Sequence, residues 1–275
     1  MHPSGSAAPD ADTMQNVASW GSSLLVGEEV QVVDERDKKA YTVARLCTNY
    51  NGNDCTESQI WMTQNLDHDI KTDGSVAYTP ATTDVPATWT PSTATYPTGT
   101  TTWNNSNTTP ESYDPGTLYW SGTPNDTTPV STGNSHYHLG NYYNWTAAIA
   151  MNDSSSYITD QQDVNQSICP ANWTLPKGGN VTTGGSFQYL VIQYGWDSEE
   201  YMMTDSYIWN SSIKTSLSGY WSGSLGGVGG SGYFWSPMVS ASYGSYGLYA
   251  SSDGIVSPGG VTNRDGGDSV RCLAR

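Results

Sequence analysis

Basic side chains are scarce in this sequence. Lys and Arg together number 10 against 26 Asp and Glu, the formal net charge is −16, and between Thr72 and Asn263 only Lys177 and Lys214 are cationic. No basic stripe is available to track phosphates, so no nucleic acid is expected as a partner, and an anionic membrane surface is disfavoured for the same reason. Long apolar runs are missing too. None reaches the ~20 residues that a membrane-spanning helix needs, and no direct membrane insertion is expected. Charged residues are only 13% of the chain, which leaves solubility to Ser, Thr, Asn and the acidic groups. There is no Cys-x-x-Cys spacing, and His136 and His138 stand far in sequence from any cysteine pair, which argues against zinc.

A narrower absence marks the C-terminal stretch. From Gly232 to Arg275 there is no Lys, Glu or Gln, and Ser, Gly, Tyr, Ala, Val and Asp dominate. Tyr presents a rigid amphipathic ring at low entropic cost, while Ser, Gly, Asn and Asp supply adaptable hydrogen bonds, the mixture found in antibody paratopes. Tyr233-Phe-Trp235-Ser236 before the stretch and Ser269-Val-Arg271-Cys272 after it read as fixed ends, hence a binding loop carried on a scaffold. From Val239 to Arg275 Met and Trp are missing as well, and every residue belongs to the set encoded by codons ending in a pyrimidine. The five missing types make up about one residue in seven of the whole chain, so their joint absence has a chance probability on the order of one in a few hundred. Ordinary low complexity in a Gly/Ser/Tyr-rich β-region is the competing explanation.

Cys47, Cys55, Cys169 and Cys272 allow three pairings. Cys47 and Cys55 flank the turn-rich Asn49-Tyr-Asn-Gly-Asn-Asp54 and suit a local hairpin staple. Cys169 with Cys272 then closes a loop of about 100 residues, a constraint worth about 4 to 5 kcal/mol in the chain-entropy model. Four reduced thiols of a cytosolic protein are the alternative. The Trp, Tyr, Asn and Thr richness and the few lysines favour disulfides and an extracytoplasmic location, secreted or anchored at the cell surface.

Along the chain, residues 1–23 read as a flexible leader and 24–275 as a single domain. Glu29–Asp34 and Ala40–Leu46 alternate as strands around the charged turn Glu35-Arg-Asp-Lys-Lys39, and Gln59–Thr63 reads as a third strand. Residues 67–135 are rich in Thr, Pro, Ser and Asn yet carry Trp89, Trp103, Tyr113, Tyr119 and Trp120, which predicts an ordered, loop-rich insertion rather than a linker. Tyr143–Met151 and Ser186–Tyr194 show helical spacing of apolar residues, the second with Ser186 as its N-cap. From Ser218 onward short aromatic runs separated by glycines favour strands and loops. The fold class is α+β, with few helices, short strands and long loop-rich insertions.

Six blocks occur in order: Asp34-Glu-Arg-Asp37 with Tyr41-Thr-Val43, Gln59-Ile-Trp-Met62 with Asn65-Leu66, Tyr143-Asn-Trp145 with Ala147-Ala148, Cys169-Pro170 with Trp173 and Leu175-Pro176, Phe234-Trp-Ser236, and Val270-Arg-Cys272. Together they resemble the Fibrobacter succinogenes major paralogous domain, over the chain from about Glu28 to Arg275 apart from the insertion. The chain departs from that pattern in the insertion, in the Cys47/Cys55 loop, and in Asn172, where the family tends to have Gly. The resemblance implies a C-type-lectin-like fold, in the broad group that includes formylglycine-generating enzymes, on a secreted or cell-surface bacterial protein. Proteins of that fold also serve as targets of diversity-generating retroelements, which copy the adenines of a template with errors into the end of a gene. Template codons AAC and AAT then yield only residues with pyrimidine-ended codons. On that reading the chain is a variable protein that binds a protein or glycan ligand at the cell surface, and residues 236–268 are the variable region. Trp235 and Arg271 are its scaffold residues. Its ligand-binding residues are Ser242, Tyr243, Ser245, Tyr246, Tyr249, Ser252, Asp253, Ser257, Thr262, Asn263, Asp265 and Asp268, with Tyr243, Tyr246 and Tyr249 spaced to share one patch.

Other chemistries find less in the sequence. Formylglycine-type oxidation needs reactive cysteines, and glycoside hydrolysis needs two facing carboxylates that nothing marks out. Asp197, Glu199 and Glu200 read as a solvated acidic face. Asp67-His-Asp69 with Asp73-Gly74 offers oxygen ligands without the EF-hand pattern, and His136 with His138 lacks a third ligand. No catalytic residue, metal or cofactor is expected. A structural or adhesive envelope protein without diversification is the alternative function, and an enzyme of the formylglycine-generating type a further one.

Overall fold

The computed structural model describes residues 12–36, 40–51, 54–66, 68, 142–150, 167–178, 185–193, 217–222, 225–227, 230–241, 244–251, 256–264 and 266–275. In chain order the elements are α1 (Val17–Trp20), β1 (Glu29–Val33), β2 (Ala40–Asn51), β3 (Asp54–Met62), β4 (Tyr142–Tyr143), α2 (Trp145–Ala148), β5 (Trp173–Thr174), α3 (Ser186–Gln193), β6 (Tyr220–Trp221), β7 (Leu225–Gly226), β8 (Ser231–Ala241), β9 (Gly244–Ser251), β10 (Val256–Asn263), β11 (Asp268–Ser269) and β12 (Leu273–Ala274). The architecture is mixed α+β, mostly sheet with few helices. One sheet has the order β1-β2-β3-β12-β5, a second β10-β9-β8-β11-β4, and β6 pairs with β7.

Alternation within the strands explains where the apolar residues go. Successive side chains point to opposite faces of a sheet. In β2, Tyr41 and Val43 enter one hydrophobic core while Ala44 and Leu46 enter another, and in β3 Ile60 and Met62 part from Trp61 in the same way. The first sheet therefore lies between two cores. The second core is completed by Phe187 and Leu190 of α3 and by Phe234, Leu248, Ala250 and Val256 of the second sheet. Trp61 and Phe187 meet there at 5.9 Å between ring centroids.

The expected hairpins are present. β1 and β2 pair antiparallel through Val32↔Tyr41, and β2 and β3 through Ala44↔Trp61. Cys47 is bridged to Cys55 at the far end of the second hairpin, and Cys169 to Cys272 across 103 residues. Beside the long-range bridge, Leu273 pairs with both Trp61 and Thr174, so β12 closes the sheet between β3 and β5.

Three expectations need correction. Residues 12–23 are not a flexible leader. Met14, Val17, Trp20 and Leu24 are buried in the first core, the Trp173 indole donates to the Met14 carbonyl at 2.7 Å, and Arg45 Nη2 donates to the Gly21 carbonyl at 2.6 Å. Residues 1–11 lie outside the described set. The helix expected over Tyr143–Met151 is only the four residues of α2, because Tyr143 is strand and Ala150 takes φ 52°. Its cap is Asn144, whose Oδ1 accepts from the Ala147 N–H at 2.9 Å. Ser186 is the first residue of α3 rather than the cap before it, and its Oγ accepts from the Lys177 N–H.

Asn172 sits at φ 68°, the left-handed region in which Gly is at ease and Asn is among the next best tolerated. Its Nδ2 donates to the Gln15 carbonyl at 2.8 Å, so this side chain also clasps the N-terminal segment. Gln15 in turn donates to Asp34, which pairs with Arg36 at 2.6 Å. Burial acts to raise the Asp34 pKa, but the Arg36 charge and hydrogen bonds outweigh it and hold the carboxyl below its usual value.

Because Met14 is fully buried, Met14→Ala is expected to cost about 2 to 5 kcal/mol of unfolding free energy in urea titrations. An unchanged midpoint would restore the reading of this segment as a loose leader.

Candidate functional site

The C-terminal stretch forms an antiparallel meander of β8, β9 and β10. Tyr233 pairs with Tyr249 and Phe234 with Leu248 on one side of β9, and Tyr249 with Ser257 and Tyr246 with Val261 on the other. Register shifts after Trp235 in β8 and after Ser257 in β10 place extra residues opposite β9. Gly247 permits the close approach of β8 and β9, since a Cβ there would stand 2.4 Å from the Phe234 carbonyl oxygen.

Aromatic and arginine side chains pin the meander to the rest of the fold. The Trp145 indole donates to the Ser236 carbonyl at 3.0 Å, and its backbone N–H to the Arg264 carbonyl at 3.1 Å. The Arg264 guanidinium lies over the Trp145 ring at 4.5 Å and donates to the Gly244 carbonyl at 3.2 Å. Trp235 is fully buried, with its indole donating to the Tyr143 carbonyl at 2.5 Å. Arg271 lies over Phe234 at 5.0 Å and donates to Asn65 Oδ1 at 2.9 Å, and burial pushes its pKa down to about 9. Asn65 also donates to Ser269 Oγ, which shares a hydrogen bond with Ser218 Oγ.

The expected ligand-binding residues separate into several groups. Ser242, Tyr243, Ser252, Asp253 and Asp265 lie outside the described residues. Tyr246, Tyr249, Ser257 and Thr262 are half-buried and Asn263 is exposed. Ser245 and Asp268 are interior, at 0% and 2% exposure, which removes them from any preformed surface. The Ser245 hydroxyl is engaged in a 2.7 Å donation to the Met238 carbonyl.

The expectation of a shared tyrosine patch also needs correction. In an extended strand, residues three apart point to opposite faces, and Tyr246 and Tyr249 both lie within β9. Tyr246 stands near Gly178 and Ser236, whereas Tyr249 packs on Tyr233 at 4.9 Å.

What forms instead is a row across strands. Ser269 is beside Phe234 in the parallel β11–β8 pair, so Asp268, Tyr233, Tyr249 and Ser257 follow one another on one face of four adjacent strands. Tyr220 of β6 closes on Tyr233 edge-to-face, with centroids 5.4 Å apart and planes at 82°. The three rings make a continuous ledge, with Tyr220 38% exposed and Tyr233 and Tyr249 half-buried. Tyr220 and Tyr233 were not among the expected binding residues. Tyr233 was legible only as part of a fixed frame, and its place beside Tyr249 depends on strand register.

The ledge has an unusual electrostatic neighbour in Asp268. Burial pushes this carboxyl up to about 7, against a smaller lowering from the Thr262 hydroxyl. Its Oδ2 is buried without a hydrogen-bond partner. Burial first, then the neighbouring Tyr249, Asp268 and Tyr220, push the Tyr233 hydroxyl above its ordinary pKa.

No group of three or more His, Cys, Asp or Glu among the described residues is placed to hold a metal ion. His68 is buried, and its backbone exchanges hydrogen bonds with the Tyr143 hydroxyl. Asp67, Asp69, Asp73, Gly74, His136, His138, Asp197, Glu199 and Glu200 lie outside the described residues. No family model, curated protein or solved structure matches the chain.

Asp268 also sets a pH dependence. Its folded pKa is above the unfolded value, so its contribution to stability is fully present below about pH 4 and is lost as pH rises toward about 7. Asp268→Asn removes the charge and keeps the shape. Denaturant midpoints between pH 4 and 8 should fall less steeply for this variant, leaving it more stable than the parent above pH 7, by an amount on the order of a few kcal/mol.

Proposed function

We propose that this is an extracytoplasmic, non-enzymatic ligand-binding protein with a C-type-lectin-like fold, whose C-terminal region is diversified by a retroelement to recognise varied protein or glycan ligands. One observation carries the reading. The span that lacks five residue types, from Val239 to Arg275, coincides with most of a meander whose ends are fastened and whose middle presents Tyr, Ser, Thr and Asn. Trp145, Trp235, Arg264 and Arg271 hold the backbone through main-chain hydrogen bonds, buried polar groups and ring faces. Side chains of Tyr246, Tyr249, Ser257, Thr262 and Asn263 then change at little cost to the scaffold.

Two disulfides fit an oxidising compartment outside the cytoplasm. They engage all four cysteines, which supports the binding reading over an oxidation of the formylglycine-generating type that needs a reactive thiol. A structural or adhesive envelope protein is the second reading, favoured by the same pinned meander if its surface proves constant.

Structure and genetic code together make the first reading specific. Gly247 and Arg264 must stay fixed for reasons of packing, and codons GGC, GGT, CGC and CGT contain no adenine. Under adenine-directed copying, these two positions are spared while Tyr246, Tyr249, Ser257, Thr262 and Asn263 vary. Sequencing the gene in independent isolates should show differences within the codons for residues 236–268 that include the second group and omit Gly247 and Arg264, beside a near-repeat of the last hundred or so nucleotides and a reverse-transcriptase gene. Differences spread evenly along the gene, with no such repeat, would leave the envelope reading in its place.

A further inference from the structure

Tyr220, Tyr233 and Tyr249 form their ledge beside a carboxyl that has no cation. Asp268 makes no ion pair among the described residues, where the one salt bridge joins Asp34 to Arg36. Its Oδ2 is buried and unpartnered. Tyr143 of β4 and Tyr233 of β8 flank it in the sheet, the Thr262 hydroxyl of β10 reaches it, Trp221 of β6 bridges to Gly267 just before it, and Tyr249 of β9 stands one strand further out, against Tyr233. The two nearest cations in sequence are engaged elsewhere, Arg264 on Trp145 and the Gly244 carbonyl, Arg271 on Phe234 and Asn65.

We propose that this ledge receives a cationic side chain, an Arg or Lys displayed by a protein partner, with its charge lying against the tyrosine rings and the interior Asp268 carboxylate attracting it from behind Tyr233 without direct contact. The inference rests on the ligand-binding reading above and names the chemistry of its ligand. Aromatic faces carry negative charge and attract cations, by about two- to fivefold in affinity per ring at exposed sites and about thirtyfold when water is excluded. Rigid Tyr rings and Arg are also the residues most enriched among the dominant contacts of protein interfaces. The net charge of −16 draws a basic partner in and repels an acidic one. A neutral saccharide would stack on the rings but gain nothing from the overall negative charge.

Binding of a cation favours the ionised form of Asp268 and so releases a proton. The carboxyl titrates at about 7 in the free protein, hence affinity rises as pH increases through neutrality.

Calorimetric titration of the full chain tests this with three probes: an acetylated, amidated Gly-Arg-Gly-Arg-Gly peptide, the same peptide with citrulline for arginine, and maltopentaose. The arginine peptide should bind, more tightly at pH 8 than at pH 6, and citrulline should weaken it at least tenfold. Tyr220→Ser and Tyr249→Ser leave the net charge unchanged and should each weaken binding about three- to tenfold. Asp268→Asn should remove the pH dependence. Tyr220 is exposed enough that its variant decides the matter should Tyr249→Ser fail to fold.

Equal binding by Tyr220→Ser and the parent overturns the proposal, because overall charge alone then accounts for the attraction. Equal binding of the citrulline peptide, binding of maltopentaose but not of the arginine peptide, or no binding of the arginine peptide at millimolar concentration overturns it as well. Adenine-confined variation in the gene is independent of all these outcomes. Its presence without cation binding refutes this inference alone, and its absence refutes the diversification reading.

Discussion

One side chain ties the C-terminal meander to the remainder of the molecule from two directions. Trp145 follows β4, opens α2 and donates through its indole to Ser236, where β8 leaves its regular pairing with β9. Its backbone N–H meets the carbonyl of Arg264, just beyond β10, and the guanidinium of that residue covers its ring. A single indole thus fixes the spacing between the first and last strands of the meander. The bonds go to main-chain carbonyls, which every residue type possesses. Such a clasp holds the backbone without dictating the neighbouring side chains.

The opposite end of the stretch is secured covalently and by buried polar contacts. Cys272 is joined to Cys169, Leu66 donates to the Val270 carbonyl, and Met62 to the Cys272 carbonyl. Arg271 is buried against Phe234 and Asn65. Leaving such a guanidinium without its partners is costly, so the Asn65–Arg271 pair constrains the join between the two sheets. The N-terminal segment contributes from below, with Met14 and Trp20 filling space beside Trp173.

Much of the sheet structure was legible because alternation is a local property. The β1–β2–β3 order follows from Val, Tyr and Thr placed every second residue around a charged turn and a cysteine-flanked turn. Both cysteine pairings were reachable by spacing as well. The N-terminal segment was misread because Ser, Ala, Gly and Pro dominate its beginning, and a few apolar residues such as Met14 and Trp20 reveal burial only once a receiving surface exists. The ledge was only half legible. Tyr249 stood out by composition, but its neighbours Tyr220 and Tyr233 are 29 and 16 residues away. They reach it through register, which the bulges set and no local pattern announces. Periodic spacing of tyrosines pointed the other way, since three-residue spacing within a strand divides its members between two faces.

Strand alternation also limits the kinds of change this region withstands. Leu248 faces the second core, and Tyr249 beside it faces the ledge. One codon inserted or deleted ahead of them would exchange the two, sending a phenol into the core and a leucine outward. The meander is therefore intolerant of changes in length. Under the diversification proposed above, only a copying process that swaps letters while conserving their number would keep this alternation, whereas one that slips would destroy the fold.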